Sequence, residues 1–334
     1  DIVVSSSKDH TVAWFENDGA ANPGFSHANI ATNARGGADV VVADMDADGD
    51  LDIVSASSGD DTIAWYENDG AANPTWSSED IATSANGAYS VDVADMDGDG
   101  DLDIVSASDT DNTIAWYEHD GASDPSWSSA NIVTNVDGAR GLSVADMDGD
   151  GDFDIVSAAR DDDAIDWFEN DGAADPTWTK ANIATTADGA LDAKVADMDG
   201  DGDMDIISAS HLDDTIAWYE NDGAADPTWT AANIATDADG AVDLEAADMD
   251  GDGDMDIIAG SRLDDTVSWY ENDGAADPTW TATDIDTSGD WVRDVHIGDL
   301  DGDGDLDIVV ASRNDDTISW YENTCDGSDP LVLD

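Results

Sequence analysis

Residues 90–118 read SVDVADMDGDGDLDIVSASDTDNTIAWYE, and this stretch decides the fold. It opens on alternating apolar residues, passes through an aspartate-rich turn and continues into two β-branched and aromatic runs bounded by Asp, Asn and Gly. Runs of this kind read as short strands, and no window carries a sustained helical period. The reading places strand A at residues 90–95, strand B at 103–108, strand C at 113–118 and strand D at 131–135 (NIVTN). Gly121 and Pro125 fall in the loop between C and D. In strand C, Ile114 and Trp116 point to one face and Ala115 and Tyr117 to the other. Both faces are apolar, so both must be covered.

The stretch is one copy of a repeat. Trp14, Trp65, Trp116, Trp167, Trp218, Trp269 and Trp320 are spaced by 51 residues, each in a version of T-I-A-W-Y-E-N. A D-I-V or D-I-I motif recurs in step from Asp1, Asp52, Asp103, Asp154, Asp205, Asp256 and Asp307. A second aromatic follows in each of six copies, at Phe25, Trp76, Trp127, Trp178, Trp229 and Trp280, while Trp291 stands outside both series. Seven copies of a four-stranded unit with two apolar faces predict an all-β, seven-bladed β-propeller over residues 1–323. Residues 324–334 form a tail or the start of a following segment. A linear solenoid is the rival, but it needs polar caps at two ends, and none is visible. Strands B and C occur seven times, A and D six times. Either the tail at residues 329–334 (DPLVLD) closes the ring, or flanking residues have been removed. The start at Asp1, without Met or a leader, is read as a processed or truncated piece.

Composition narrows the function. The chain of 334 residues carries 81 acidic against 9 basic residues, a net charge of −72. So little positive charge excludes binding to a nucleic-acid backbone. No stretch approaches 18 apolar residues, so membrane insertion is not expected. Cys325 is the one cysteine, so no internal disulfide can staple the fold.

Between strands A and B lies D-x-D-x-D-G-D-x-D, six times. The copies are Asp44, Asp46, Asp48, Asp50 and Asp52; Asp95, Asp97, Asp99, Asp101 and Asp103; Asp146, Asp148, Asp150, Asp152 and Asp154; Asp197, Asp199, Asp201, Asp203 and Asp205; Asp248, Asp250, Asp252, Asp254 and Asp256; and Asp299, Asp301, Asp303, Asp305 and Asp307. Calcium takes six to eight oxygen ligands in a flexible cage. Carboxylates at positions 1, 3 and 5 can turn inward together, Gly at position 6 permits the bend, position 7 offers its carbonyl, and position 9 closes the cage. The helical EF-hand loop opens with the same spacing, but here no Glu stands at position 12 and no helix flanks the loop. Five Asp in nine residues repel one another without a cation. We therefore expect about six Ca2+ sites of a structural kind. Extracellular sites of this type bind at about 0.1–1 mM, and each contributes about 2.7 kcal/mol at a hundredfold excess of calcium. Six independent sites give on the order of 16 kcal/mol at most, enough to replace disulfides. Sites this weak point to an extracellular or cell-surface setting, and the remaining charge suits a marine or halophilic surface.

The repeat period, the metal loop between A and B and the D-I-V strand resemble the FG-GAP/VCBS repeat family. Its members include integrin α-subunit propellers and large bacterial and archaeal surface proteins. The resemblance covers residues 1 to about 323 and implies a seven-bladed calcium-binding propeller, with Asp44, Asp46, Asp48, Asp50, Asp52 and their equivalents matching the family's calcium loop. The Phe-Gly and Gly-Ala-Pro signatures of the integrin branch are absent.

Departures from the repeat are where specificity can reside. Loops alternate between the two ends of a propeller, so the A–B and C–D loops share one end and the B–C loops and D-to-A connections the other. Lys8, Arg160, Arg262 and Arg313 fall in B–C loops, and Arg35, Arg140 and Arg293 in D-to-A connections or the entry to strand A. With Lys194 and His296 on strand A, Tyr89, Arg140, Lys194, His211, Trp291, Arg293 and His296 form the candidate ligand set. It suits an anionic polysaccharide, because guanidinium forks match carboxylate and sulfate. The bland alternative is that the arginines pair with neighbours such as Asp161, Asp264 and Asp315. His27 and His119 are read as solvated. The leading function is a non-enzymatic binding or structural module for adhesion, matrix or filament assembly, or carbohydrate recognition, with another surface protein or further copies as alternative partners. The rival is a polysaccharide lyase or glycosidase acting on an acidic polysaccharide, drawing on His211, His296, Tyr89 and Arg293.

Overall fold

Strand C of the third repeat shows how the sequence builds the architecture. In a computed structural model that describes residues 1–122 and 125–324, Ile114 and Trp116 enter a cluster with Ile155 and Phe168 of the following sheet. Ala115 and Tyr117 enter another with Val54 and Trp65 of the preceding one. Each sheet is thus sandwiched, and seven sheets stand around an axis as a β-propeller. Residues 325–334, including the tail expected to close the ring, lie outside the described residues.

Blade 3 comprises Ala88–Ala94, Asp103–Ser108, Thr113–His119 and Trp127–Val133, hydrogen-bonded in the order A-B-C-D. All pairs are antiparallel. Blades 2, 4, 5 and 6 repeat this order. Among the described residues, blade 1 has strands B, C and D only, and blade 7 has A, B and C only. Strands A of blades 2 to 7 pack side by side around the axis. Strand B, next outward, is buried along its length in blades 2 to 6. In blade 1, strand B (Ile2–Ser6) has no inner neighbour in its sheet among the described residues and is only half-buried.

Strands A and D differ most from the sequence reading. Strand A starts two residues earlier, at Ala88, through a bulge between Ala88 and Ser90. Strand D starts at Trp127, four residues earlier, and ends at Val133. The cause is tertiary: the Trp127 ring meets Trp65 of the preceding blade edge-on, with centroids 6.4 Å apart, and this burial draws the chain into the sheet.

Six apolar clusters occupy the six junctions between consecutive blades. Among the described residues no such cluster fills the junction of blades 7 and 1. Polar contacts carry it instead. Asn17 Nδ2 donates to the Leu300 carbonyl at 2.5 Å, and Lys8 Nζ donates to the Arg313 carbonyl at 2.6 Å while pairing with Asp316. The Asn17 contact repeats one made by Asn170, Asn221, Asn272 and Asn323, whose Nδ2 atoms donate at 2.8 Å to Met96, Met147, Met198 and Met249 of the preceding blade. At the opposite end, the B–C turns of blades 1 to 6 latch onto the next D-to-A connection, as when the Gly87 N–H donates to Asp61 Oδ1 at 2.9 Å. Both latches join sheet to sheet outside the apolar core.

Candidate metal centres and an axial arginine cluster

The A–B loops are shaped by their own aspartates. The Gly100 N–H donates to Asp95 Oδ2 at 3.0 Å. The Asp99 N–H donates to Asp97 Oδ1 at 3.2 Å, and the Asp101 N–H to Asp99 Oδ1 at 3.0 Å. Gly100 sits at φ 100°, a conformation that a side chain at position 6 would strain. The loop thereby gathers positions 1, 3 and 5. In Asp44/Asp46/Asp48, Asp95/Asp97/Asp99, Asp146/Asp148/Asp150, Asp197/Asp199/Asp201 and Asp248/Asp250/Asp252, one carboxylate oxygen from each residue lies within 4.8 Å of the others.

These triads fit a hard divalent cation on an internal criterion. Oδ1 of Asp95, Asp197 and Asp248 is buried without a hydrogen-bond partner, an expensive condition that a cation would relieve. Burial, aided by the flanking carboxylates, pushes the position 3 carboxyls (Asp46, Asp97, Asp148, Asp199, Asp250) above the usual range.

The other two expected positions behave differently. The position 7 side chain leans toward the C–D loop: a Cβ at Gly121 would meet Asp101 Oδ2 at 2.4 Å. This leaves that position its backbone carbonyl, the role the sequence assigns it. Position 9 lies at the floor of the loop, with Asp52, Asp103, Asp154, Asp205, Asp256 and Asp307 at most 1% exposed. Asp103 Oδ2 accepts from the Met96 N–H at 3.2 Å and Oδ1 from the His119 N–H at 2.8 Å. Burial pushes Asp103 and Asp154 up to about 7 and Asp52 to about 6.

At the other end, two repeat positions depart together. The entry to strand A carries Tyr89, Arg140 and Arg293, and the B–C loop carries Asp109, Arg160, His211 and Arg262 at equivalent places. The ring brings three of them into contact. Arg140 Cζ lies 4.2 Å and Arg293 Cζ 5.0 Å from the centre of the Tyr89 ring. The Tyr89 hydroxyl oxygen accepts from Arg140 Nη1 at 3.0 Å and also from Arg293 Nη2. Arg140 pairs with Asp109 at 3.0 Å, and Arg160 with Asp161 at 2.7 Å and Asp109 at 3.7 Å. Arg262 lies over Trp291, Cζ to ring centre 5.8 Å. His211 Nδ1 is bound to the Gly189 carbonyl at 2.7 Å. Burial first, then the charge of Arg262, lowers its pKa.

The structure places the expected ligand set in two groups. Lys194 and His296 lie deeper in the channel, both on Glu245, at 3.4 and 3.3 Å. Asp39, Asp92, Asp192, Asp243 and Asp294 are on the same inner strands. Lys194 is held well above its usual pKa by Asp192 and Glu245 despite its burial, and Glu245 sits low because of Lys194. The bland pairing holds for Arg160 with Asp161. It does not extend to Arg262 with Asp264 or Arg313 with Asp315, which form no ion pair among the described residues. Arg262 and Asp109 are missing from the sequence-derived set, although aligning the repeats marks both as departures. His119 is also corrected. It stands at the interlocking Asn position, is 2% exposed and meets the Trp127 ring edge-on at 5.0 Å.

Fold and loops define a seven-bladed propeller with an aspartate-rich hairpin on each of six blades. The chain belongs to the FG-GAP-like repeat family, whose profile matches residues 1–55, 44–106, 95–157, 146–208, 197–259 and 255–310. Among solved structures it is similar to a protein from Lactobacillus plantarum (TM-score 0.63, 17% identity, covering 93% of this chain and 87% of that one). A functionally unknown protein from Desulfotomaculum acetoxidans is also similar (TM-score 0.60, 11% identity, 99% and 98% covered). So is the V. cholerae biofilm matrix protein Bap1 (TM-score 0.50, 12% identity, 98% and 76% covered). At these identities the likeness is one of fold. No curated protein sequence matches the chain.

Proposed function

We propose that this propeller is a calcium-stabilised binding and structural module of a secreted or surface protein, serving adhesion or matrix assembly. The observation that carries the reading is the set of aspartate triads, three of which hold an orphaned buried oxygen at their first position. Calcium would be held by positions 1, 3 and 5, the position 7 carbonyl and position 9, and would supply the charge neutralisation that the hairpins lack. Sites of this class fill at the calcium levels found outside cells, which favours an extracellular setting. A net charge of −72 favours a salt-rich one. A biofilm matrix protein with a similar fold is consistent with a matrix role.

The test is thermal melting against calcium. Saturating calcium should raise Tm by on the order of 10 °C or more over the chelated protein. A melting temperature indifferent to chelator would overturn the reading. The rival, cleavage of an acidic polysaccharide, draws on the Tyr89–Arg293 contact. Release of new chain ends from such a polymer by the purified protein would establish it.

A further inference from the structure

We propose that the axial mouth opposite the aspartate loops is an oxyanion site for the sulfate ester or carboxylate groups of an acidic polysaccharide, with Arg262, Arg293, Arg140 and Trp291 as its recognition residues. The proposal rests on the binding-module reading above and supplies its ligand chemistry.

Four of the nine basic residues converge here in a molecule with 81 acidic ones. If they served only to relieve repulsion, each would sit among carboxylates. Arg160 does, held by Asp161 and Asp109, and Arg140 does in part, sharing Asp109 at 3.0 Å. Arg262 and Arg293 make no ion pair among the described residues, and Arg293 shares a tyrosine hydroxyl with another guanidinium. The Nε atoms of Arg262 and Arg140 are buried with no acceptor. Unmet buried donors on two converging arginines call for an acceptor. The guanidinium fork fits a planar carboxylate or one edge of a sulfate.

Trp291 is the second, independent observation. It stands where five other repeats have Gly (Gly36, Gly87, Gly138, Gly189, Gly240), and it keeps their left-handed backbone at φ 64°. A bulky residue there is strained, and such strain gathers at functional sites. Neighbouring positions depart from the repeat as well. Val292 replaces the repeat's small residue, and Gly260 replaces its Ala, where a Cβ would meet Val292 at 2.7 Å. The result is an indole beside Arg262, an apolar surface for a sugar ring next to a cation for its charge. Deeper in the channel the inner strands carry Asp39, Asp192, Asp243 and Glu245 beside Lys194, so the arginine-lined surface is confined to the mouth.

The experiment uses the calcium-loaded protein, with dextran sulfate for sulfate esters, hyaluronan for carboxylates, uncharged dextran as control and inorganic sulfate as competitor. Binding to either charged polymer and not to dextran is expected. Arg262→Gln should weaken it at least tenfold, Arg140→Gln should weaken it too, and Arg35→Gln, exposed on the same end, should not. Millimolar sulfate should compete where chloride at equal ionic strength does not. Sulfate competition on the unmutated protein keeps the test decisive if a variant fails to fold. Failure to bind both charged polymers would overturn the site. So would Arg262→Gln and Arg140→Gln binding like the parent with unchanged melting, or chelator-sensitive binding untouched by Arg262→Gln, which would put the polymer on the calcium loops. The broader module reading fails separately, through a calcium-independent Tm.

Discussion

At the scale of single residues, the exceptions to the repeat have measurable consequences. The Asn that ends strand C crosses to the preceding blade in four blades at 2.8 Å. His119 cannot copy this contact, and its Nε2 is buried without a partner. His119→Asn should restore donation to the Met45 carbonyl and stabilise the protein by about 1 kcal/mol, read by urea denaturation. Asp39 offers a pH test. Burial pushes its carboxyl up to about 6, against the pull of the Val91 N–H, Lys194 and Ser90 and with the push of Asp294. The folded state therefore holds a proton that the unfolded chain gives up near pH 4. The contribution of Asp39 to stability is intact below pH 4 and is lost as pH rises toward 6. Asp39→Asn should raise Tm at pH 7 and leave it nearly unchanged at pH 4.

At the scale of the blade, the two apolar faces of strand C set the energetics. Trp116 is 5% exposed between two sheets, whereas Trp320 faces the junction that lacks an apolar cluster and is only half-buried. Trp116→Ala should cost about 3–5 kcal/mol, and Trp320→Ala clearly less, by the same denaturation assay. Strand B was legible to the residue and strand C to within one residue, because their patterns are local. The start of strand D was not, because the ring that buries Trp127 belongs to the preceding blade. The six aspartate loops were equally legible. Their inward positions follow from spacing, while the hidden oxygens of Asp95, Asp197 and Asp248 needed coordinates.

At the scale of the whole molecule, the described residues leave one joint of the ring without an apolar cluster. Six junctions hold apolar clusters; between blades 7 and 1 the described contacts are Asn17 with Leu300 and Lys8 with Arg313 and Asp316. Lys8 and Asp316 are largely exposed, so their pair adds little. Hydrogen exchange in calcium should release the amides of Ile2–Ser6 and Thr317–Tyr321 well before those of Asp103–Ser108. Equal protection around the ring would show the joint to be as strong as the others.

The sequence alone determined what repeats: strand identity, the two faces of strand C, the metal-type loops and the number of blades. Each follows from local chemistry copied at a fixed interval. Only the tertiary structure decided which exceptions meet. Tyr89 and Arg293 lie 204 residues apart, and His119 owes its burial to a neighbouring sheet. A repeat pattern fixes where a residue stands in its own blade; closing the blades around an axis decides what stands across from it.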